Sequence, residues 1–95
     1  MKLLLVIYDS GIDETLTKTL KEHGIEGYTK IFETHGLGST GFKDGTPVFP
    51  GMNNVLLVSI AAEKVQELVD CLKTLKQSYK LNPGITIYSL DAQEL

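Results

Sequence analysis

Glycines at residues 36–41 form the first candidate binding element, which reads Gly36-Leu37-Gly38-Ser39-Thr40-Gly41. This spacing matches the G-x-G-x-x-G pattern of dinucleotide-binding turns, which requires a helix directly after the last glycine. The following residues, 42–47, include Gly45 and Pro47 and do not favour a helix. Glycines also allow backbone N–H groups to turn toward an anion. The segment therefore predicts either an anion-contacting loop or a flexible loop base without a ligand.

Histidine and carboxylate side chains could form a metal site only at Glu33 and His35. His35 lies two residues after Glu33, on the same face of a predicted strand, so both could hold a metal ion at a subunit boundary. Neither His35 nor His23, the other histidine, has a second Cys or His at ligand spacing. One histidine and one carboxylate are an incomplete set, so a polar surface is the favoured interpretation and a metal site is the alternative.

Cys71 is the single cysteine, and it lies at the edge of the apolar stripe of a predicted helix. We expect a small, half-buried apolar role, because a nucleophilic thiol needs a neighbouring base or cation and the sequence identifies none. Ser-His-Asp and paired-carboxylate patterns are also not evident, so we expect a protein that is not an enzyme. A single cysteine fits a reducing, cytoplasmic environment.

Residues 36–52 form a long predicted loop that contains most of the glycines of the chain. A loop of this length in a small domain is usually functional or mobile. Its apolar cluster, Val48-Phe49-Pro50, predicts either a contact with a partner protein or packing back onto the domain. We take Phe42, Lys43, Val48 and Phe49 as candidate partner-contacting residues.

Periodicity predicts an α+β fold with the element order βαββαβ over a single domain, residues 1–95. This order is that of the ferredoxin-like fold, a four-stranded antiparallel sheet with two helices on one face. The first strand is apolar on both faces, so we expect other subunits to cover the open sheet face. The predicted strands are residues 3–8, 27–35, 54–61 and 85–90, and the predicted helices are residues 11–23 and 62–79.

Length and charge exclude several classes of protein. The chain has 95 residues, a formal net charge of −3 and nine Lys and Arg residues, all of them lysine. A nucleic-acid-binding protein needs a basic surface, which this sequence lacks. The apolar start is too short for a secretion signal, and no run approaches the roughly 20 apolar residues of a membrane span.

The first third of the sequence resembles the PII nitrogen-regulatory family. The resemblance is carried by Gly24-Ile25-Glu26-Gly27-Tyr28-Thr29, followed by Gly36-Leu37-Gly38, and is nearly gap-free over residues 1–41. It implies a homotrimer with the sheets at its centre and ATP or ADP in clefts between subunits. It also implies that the loop after strand two contacts partner proteins, such as a membrane transporter or an enzyme. The residues implied to contact the effector are Thr29, Gly36, Leu37, Gly38, Ser39 and Thr40.

The sequence departs from the family in its phosphate-binding elements. The loop of residues 39–52 is shorter and lacks the tyrosine that family members present for modification. Residues 79–85 replace a stretch rich in Gly, Lys and Asp, and the family's arginines after strand four are missing. We therefore expect weak or undetectable ATP binding, with an effector that the sequence does not name. The alternative is a metal-binding trimer that resembles the CutA-type proteins of the same fold.

Overall fold

A computed structural model describes residues 1–25, 27–34, 36–38, 41–43, 52–80 and 83–95 of the chain. The strands are β1 (Lys2–Asp9), β2 (Thr29–Thr34), β3 (Gly36–Gly38), β4 (Gly41–Lys43), β5 (Asn53–Ile60) and β6 (Ile85–Asp91). The helices are α1 (Asp13–Glu22) and α2 (Val65–Gln77), and each follows a short 3₁₀ turn, Ser10–Ile12 and Ala62–Lys64 respectively.

Four of these strands form one antiparallel sheet in the order β2-β5-β1-β6. With α1 and α2, this arrangement confirms the predicted ferredoxin-like fold. Each predicted helix loses its first residues to a 3₁₀ turn. The Asp9 carboxylate accepts a hydrogen bond from the backbone N–H of Gly11 at 2.9 Å and so caps the turn before α1. Gly24, with a φ of 76°, ends that helical segment as predicted.

The core lies between the helices and one face of the sheet. Leu4, Val6 and Tyr8 of β1 are fully buried against Leu16 and other apolar side chains of the helices. Because successive side chains of a strand point to opposite faces, the intervening residues of β1 lie on the open face and are only half-buried. Strand β1 is therefore apolar on both faces, as the sequence predicts.

The segment after β2 differs from the prediction of a loop without strands. Positions 36–38 pair with positions 41–43 as a separate antiparallel ribbon, β3-β4. Three-residue strands are too short to produce a recognisable alternation, so the sequence pattern does not reveal them. Strand β2 begins at Thr29, two residues later than predicted. Its pairing with β5 is irregular between Ile31 and Thr34, where Glu33 adopts a φ of 57°.

Candidate functional site

Several connections meet at one end of the four-stranded sheet. Strand β1 ends there beside the start of β5, and the backbone N–H of Ser10 donates to the carbonyl of Met52 at 2.6 Å. The N–H of Asp9 donates to the carbonyl of Gly84 at 3.0 Å, just before β6 begins. Strand β2 ends opposite Asn53. The connection from β2 to β5 and the turn before β6 therefore emerge side by side, and this end of the sheet is the candidate site.

The glycine-rich segment is part of a hairpin at this end. Gly36 pairs with Lys43, and Gly38 pairs with Gly41. A dinucleotide fingerprint needs a strand, a turn and a helix, so the antiparallel β3-β4 ribbon excludes that interpretation. The extended backbone of residues 36–38 also differs from the curled backbone of an anion nest. Contact of Gly36, Leu37 and Gly38 with a ligand stays a prediction.

A hydrogen-bonded irregularity fixes the point where β2 leaves the sheet. The backbone N–H of Glu33 donates to Oδ1 of Asn54 at 3.0 Å, and the Thr34 hydroxyl donates to the carbonyl of Asn53 at 2.9 Å. Asn54 is fully buried, and its Nδ2 has no hydrogen-bond partner among the residues that the structure describes. A buried polar group normally occurs with a partner. For Asn54 the observed partner is the backbone N–H of Glu33, which binds Oδ1 and so fixes the side chain against the turning backbone of β2.

A polar network under β2 joins the sheet to the start of α1. The Tyr8 hydroxyl donates to Oδ1 of Asp13 at 2.5 Å, and Lys30 Nζ lies 2.9 Å from the same oxygen. Lys30 also donates to the hydroxyl of Thr17. Burial opposes ionisation of Asp13, but the hydrogen bonds from Tyr8 and Lys30 outweigh it and hold the pKa of the carboxyl below its ordinary value. Burial and the hydrogen bond to Asp13 raise the pKa of Tyr8.

Aromatic rings flank the ammonium group of this network. Lys30 Nζ lies 5.3 Å from the ring centroid of Tyr28 and 5.8 Å from that of Phe32. These distances are within the range of cation–π attraction. Tyr28, Lys30 and Phe32 alternate along the sequence, which puts them on one face of the predicted strand. Asp13 lies near the start of a predicted helix, where a carboxylate suits the helix dipole. No local spacing indicates the pairing of Lys30 with Asp13, so the sequence pattern does not predict it.

Among the described residues, Thr29 and the predicted effector-binding residues of β3 lie at opposite ends of β2. Thr29 begins β2 opposite Leu57, whereas β2 ends at Thr34 beside the candidate site. At about 3.3 Å per residue, the length of β2 separates Thr29 from the other end of the strand by roughly 17 Å. Gly36 and Gly38 follow that other end, and the predicted residues Ser39 and Thr40 lie outside the described residues.

The structure describes little of the predicted metal and partner sites. Glu33 is exposed, and His35 lies outside the described residues, as do Val48 and Phe49. Phe42 and Lys43 are placed only by the backbone of β4. In the described ranges, no three His, Cys, Asp or Glu side chains are grouped so that they could hold a metal ion. The CutA-like alternative therefore finds no support in these residues.

The expectation that Cys71 lacks a neighbouring base is wrong. Its Sγ lies 3.0 Å from Nε2 of His23, and Nδ1 of the same ring lies 3.2 Å from Oε1 of Glu67. His23 follows the last residue of α1, while Cys71 and Glu67 lie one turn apart on α2. The contact joins residues 48 positions apart in sequence, so only the packing of the two helices could reveal it.

Within the described helices, none is both long and apolar enough to cross a membrane.

Solved structures with the same fold include PII-like proteins. CPII from Thiomonas intermedia K12, described as bound to ADP, AMP and bicarbonate, superposes with a TM-score of 0.72 at 20% identity, over 94% of this chain and 84% of that chain. A second structure of CPII, bound to ADP and bicarbonate, gives a TM-score of 0.71 at 20% identity, with the same coverage of both chains. The apo form of CPII gives 0.67 at 17% identity, over 94% of this chain and 87% of that chain. At these identities the likeness shows the fold alone.

The sequence itself gives the family. No curated protein sequence matches the chain. The family described as nitrogen regulatory protein P-II, in contrast, matches residues 1–94, nearly the whole length. This match agrees with the strand order β2-β5-β1-β6 and with the glycine-rich connection at the end of β2. The chain therefore belongs to the nitrogen regulatory protein P-II family, whose members are regulatory proteins.

Proposed function

We propose that the protein is a cytoplasmic, trimeric regulator without enzymatic turnover. A small-molecule effector binds in the clefts between its subunits and changes what the connection of residues 39–52 can contact. The physical basis is a population shift, in which a ligand that favours one loop conformation alters the affinity for a partner protein. That partner is a membrane transporter or an enzyme whose activity the loop controls.

The open face of the sheet is the observation that carries this proposal. Directly paired residues share a face, so the register aligns apolar rows across the four strands. Ile31, Tyr88 and Leu90 on the outer strands are 49%, 55% and 49% exposed in the isolated chain. A contiguous apolar face of this kind marks an interaction surface, and further copies of the same sheet can cover it. Its apolar residues are Leu3, Leu5, Ile7, Ile31, Val55, Leu57, Tyr88 and Leu90.

The position of Thr29 supports a site shared between subunits. Thr29 pairs with Leu57, so it lies on the open face, at the end of β2 away from the glycine-rich hairpin. One chain cannot place Thr29 and Gly38 against the same small ligand across that distance. A neighbouring subunit, packed through the open face, could supply Thr29 to the hairpin of the first. The effector site is then complete only in the assembled oligomer.

The first candidate effectors are AMP, ADP and bicarbonate, because the structurally similar CPII proteins are described as bound to them. ATP should bind more weakly here than to family members that have a basic phosphate-binding loop. Each lost charge-assisted contact removes about 1.5–3 kcal/mol. Losing two of them weakens binding by roughly 10²- to 10⁴-fold.

Two measurements test the proposal. Light scattering at micromolar concentration should report a trimer for the unaltered protein. The substitution Tyr88→Glu should dissociate it, because a carboxylate would be buried in the apolar interface. Gln77→Glu, at the exposed end of α2, adds the same charge away from that face and should remain trimeric. A monomeric unaltered protein, or a Tyr88→Glu trimer as stable as the control, would refute the assembly.

Calorimetry with AMP, ADP, ATP and bicarbonate tests the effector. We expect binding of at least one of AMP, ADP and bicarbonate, and little heat from ATP. Micromolar ATP affinity would contradict the reasoning from the missing basic residues. Amide exchange across residues 39–52 should slow when the bound effector is present. Unchanged exchange with a saturating effector would refute signalling through this connection.

A further inference from the structure

Three side chains from the two helices form a hydrogen-bonded series outside the proposed effector site. Cys71 Sγ lies 3.0 Å from His23 Nε2, and His23 Nδ1 lies 3.2 Å from Glu67 Oε1. An ionised carboxylate can only accept a hydrogen bond, so the nitrogen that faces Glu67 carries the ring proton. Nε2 is then free to accept the proton of the thiol. A nucleophile, a base and a group that orients the base are therefore all within hydrogen-bond reach, the arrangement that activates nucleophiles in proteins.

A cleft between α1 and α2 gives small molecules access to this cluster. The cleft has a volume of ≈ 500 Å³, and Cys71, His23 and Glu67 all line it. Cys71 is half-buried and free of any disulfide. The helices pack on the opposite side of the sheet from the open face, so a trimer formed through that face leaves the cleft accessible. The inference therefore does not depend on the proposed function.

The charges around the thiol determine which reagents can react. The cleft is also lined by Glu22 and Asp70, and among the described residues its ionisable groups include no lysine. Burial, Glu22 and Glu67 together raise the pKa of Cys71, so the thiol is protonated at rest. Reaction then requires His23 to take the proton during attack. The surrounding carboxylates repel anionic reagents and leave neutral ones unaffected.

We propose that Cys71 is a modification site for small neutral peroxides, with His23 as the base. The thiol sulfur attacks one peroxide oxygen while His23 Nε2 accepts its proton, and the O–O bond breaks. Sulfur loses two electrons and becomes sulfenic acid. The leaving hydroxide takes the proton from His23 and departs as water. Glu67 acts as a positioning residue through its hydrogen bond to Nδ1.

The test treats the whole protein with hydrogen peroxide at pH 7 and follows trapping of sulfenic acid by dimedone with intact mass spectrometry. His23→Gln removes the base and should slow adduct formation by about tenfold or more. Glu22→Gln removes a carboxylate that opposes the negative charge developing on Cys71 Sγ as the proton leaves, and it keeps His23, so it should speed the reaction. Glu63→Gln, on the exposed turn before α2, is the matched control and should react at the unaltered rate.

Several results would overturn the proposal. One is the absence of an adduct in the unaltered protein, and another is a His23→Gln variant that reacts as fast as the control. If that variant does not fold by circular dichroism, alkylation of the unaltered protein gives a second test. We compare the rate with neutral iodoacetamide to the rate with anionic iodoacetate. The ratio of these two rates should be larger for Cys71 than for free cysteine. An equal ratio would show that the carboxylates of the cleft do not select neutral reagents, and it would overturn the proposed preference for neutral peroxides.

Discussion

Replacing Lys30 by methionine tests whether the network under β2 stabilises the fold. The substitution removes the ammonium group that lies 2.9 Å from Asp13, and it keeps most of the apolar length of the side chain. Lys30 is 10% exposed and Asp13 is 27% exposed, so solvent can only partly replace the lost partner. The substitution therefore leaves a mostly buried carboxylate that has lost its ammonium partner and keeps the hydrogen bond from the Tyr8 hydroxyl.

We expect Lys30→Met to lower the free energy of unfolding at neutral pH by about 3 kcal/mol. This value follows from the typical energies of two kinds of interaction. A hydrogen bond to a charged group contributes about 1.5–3 kcal/mol. Breaking a fully buried ion pair costs about 3–5 kcal/mol. The retained bond from Tyr8 and the partial exposure of Asp13 place this pair near the overlap of the two ranges.

The pH dependence gives a second signature. Burial of Asp13 would raise its pKa, but Tyr8 and Lys30 lower it below the ordinary value. A lowered folded-state pKa gives stabilisation that is fully present above the unfolded value of about 3.9. That stabilisation is lost as the pH falls through the folded value. The difference between the unaltered protein and Lys30→Met should therefore be largest near pH 7 and should shrink below about pH 4.

Urea denaturation at pH 7 and pH 3, at one fixed protomer concentration, measures both quantities. Lys18→Met is the matched control, because Lys18 is an exposed lysine on α1. It should change stability by no more than about 0.5 kcal/mol. If Lys30→Met unfolds like this control, or if its deficit is the same at both pH values, the assigned role of the ion pair is wrong.

Other substitutions test the backbone and the phenol. Glu33 has a φ of 57°, which costs a non-glycine residue about 1 kcal/mol. The variant Glu33→Gly should therefore melt at a higher temperature than Glu33→Ala, and equal melting temperatures would contradict strain at this position. Gly24 has a φ of 76°, and the space that a Cβ would occupy there is open. Gly24→Ala should therefore lower the free energy of unfolding by about 1 kcal/mol through backbone strain alone, as measured by chemical denaturation. An unchanged free energy of unfolding would contradict strain at this position and would mean that the end of α1 relaxes. Tyr8→Phe removes a donor to Asp13 and should raise the pKa of that carboxyl in an NMR titration, and an unchanged titration would exclude the phenol as a stabilising partner.

Periodicity predicts the fold well because the interior of this protein selects residues by their spacing. Ile12, Leu16 and Leu20 recur at a spacing of four in the sequence, which predicts the inward face of the first helical segment. All three are buried in the structure. The apolar, β-branched run of residues 54–61 likewise predicts a strand, and in the structure Leu56 and Val58 of β5 lie against the helices. These signals depend on neighbours that are close along the chain, so they can be found without knowledge of the tertiary structure.

Contacts between distant segments could not be predicted in this way. The pairing of Lys30 with Asp13 depends on how β2 lies over α1, and the contact of Cys71 with His23 depends on helix packing. The irregular end of β2 depends on Asn54, whose amide oxygen is fixed from the neighbouring strand. In each case a polar side chain with an ordinary local interpretation gains its role from a partner in another element.

The separation of Thr29 from the hairpin of Gly36–Gly38 along β2 has a genetic consequence for an oligomer whose sites are shared. A subunit with a defective Thr29 still offers an intact hairpin, and a subunit with a defective hairpin still offers Thr29. Co-expression of the two defective chains would assemble mixed trimers in which some clefts combine both intact halves. Two inactive alleles could then restore effector binding together, whereas a site contained within one chain would allow no such complementation.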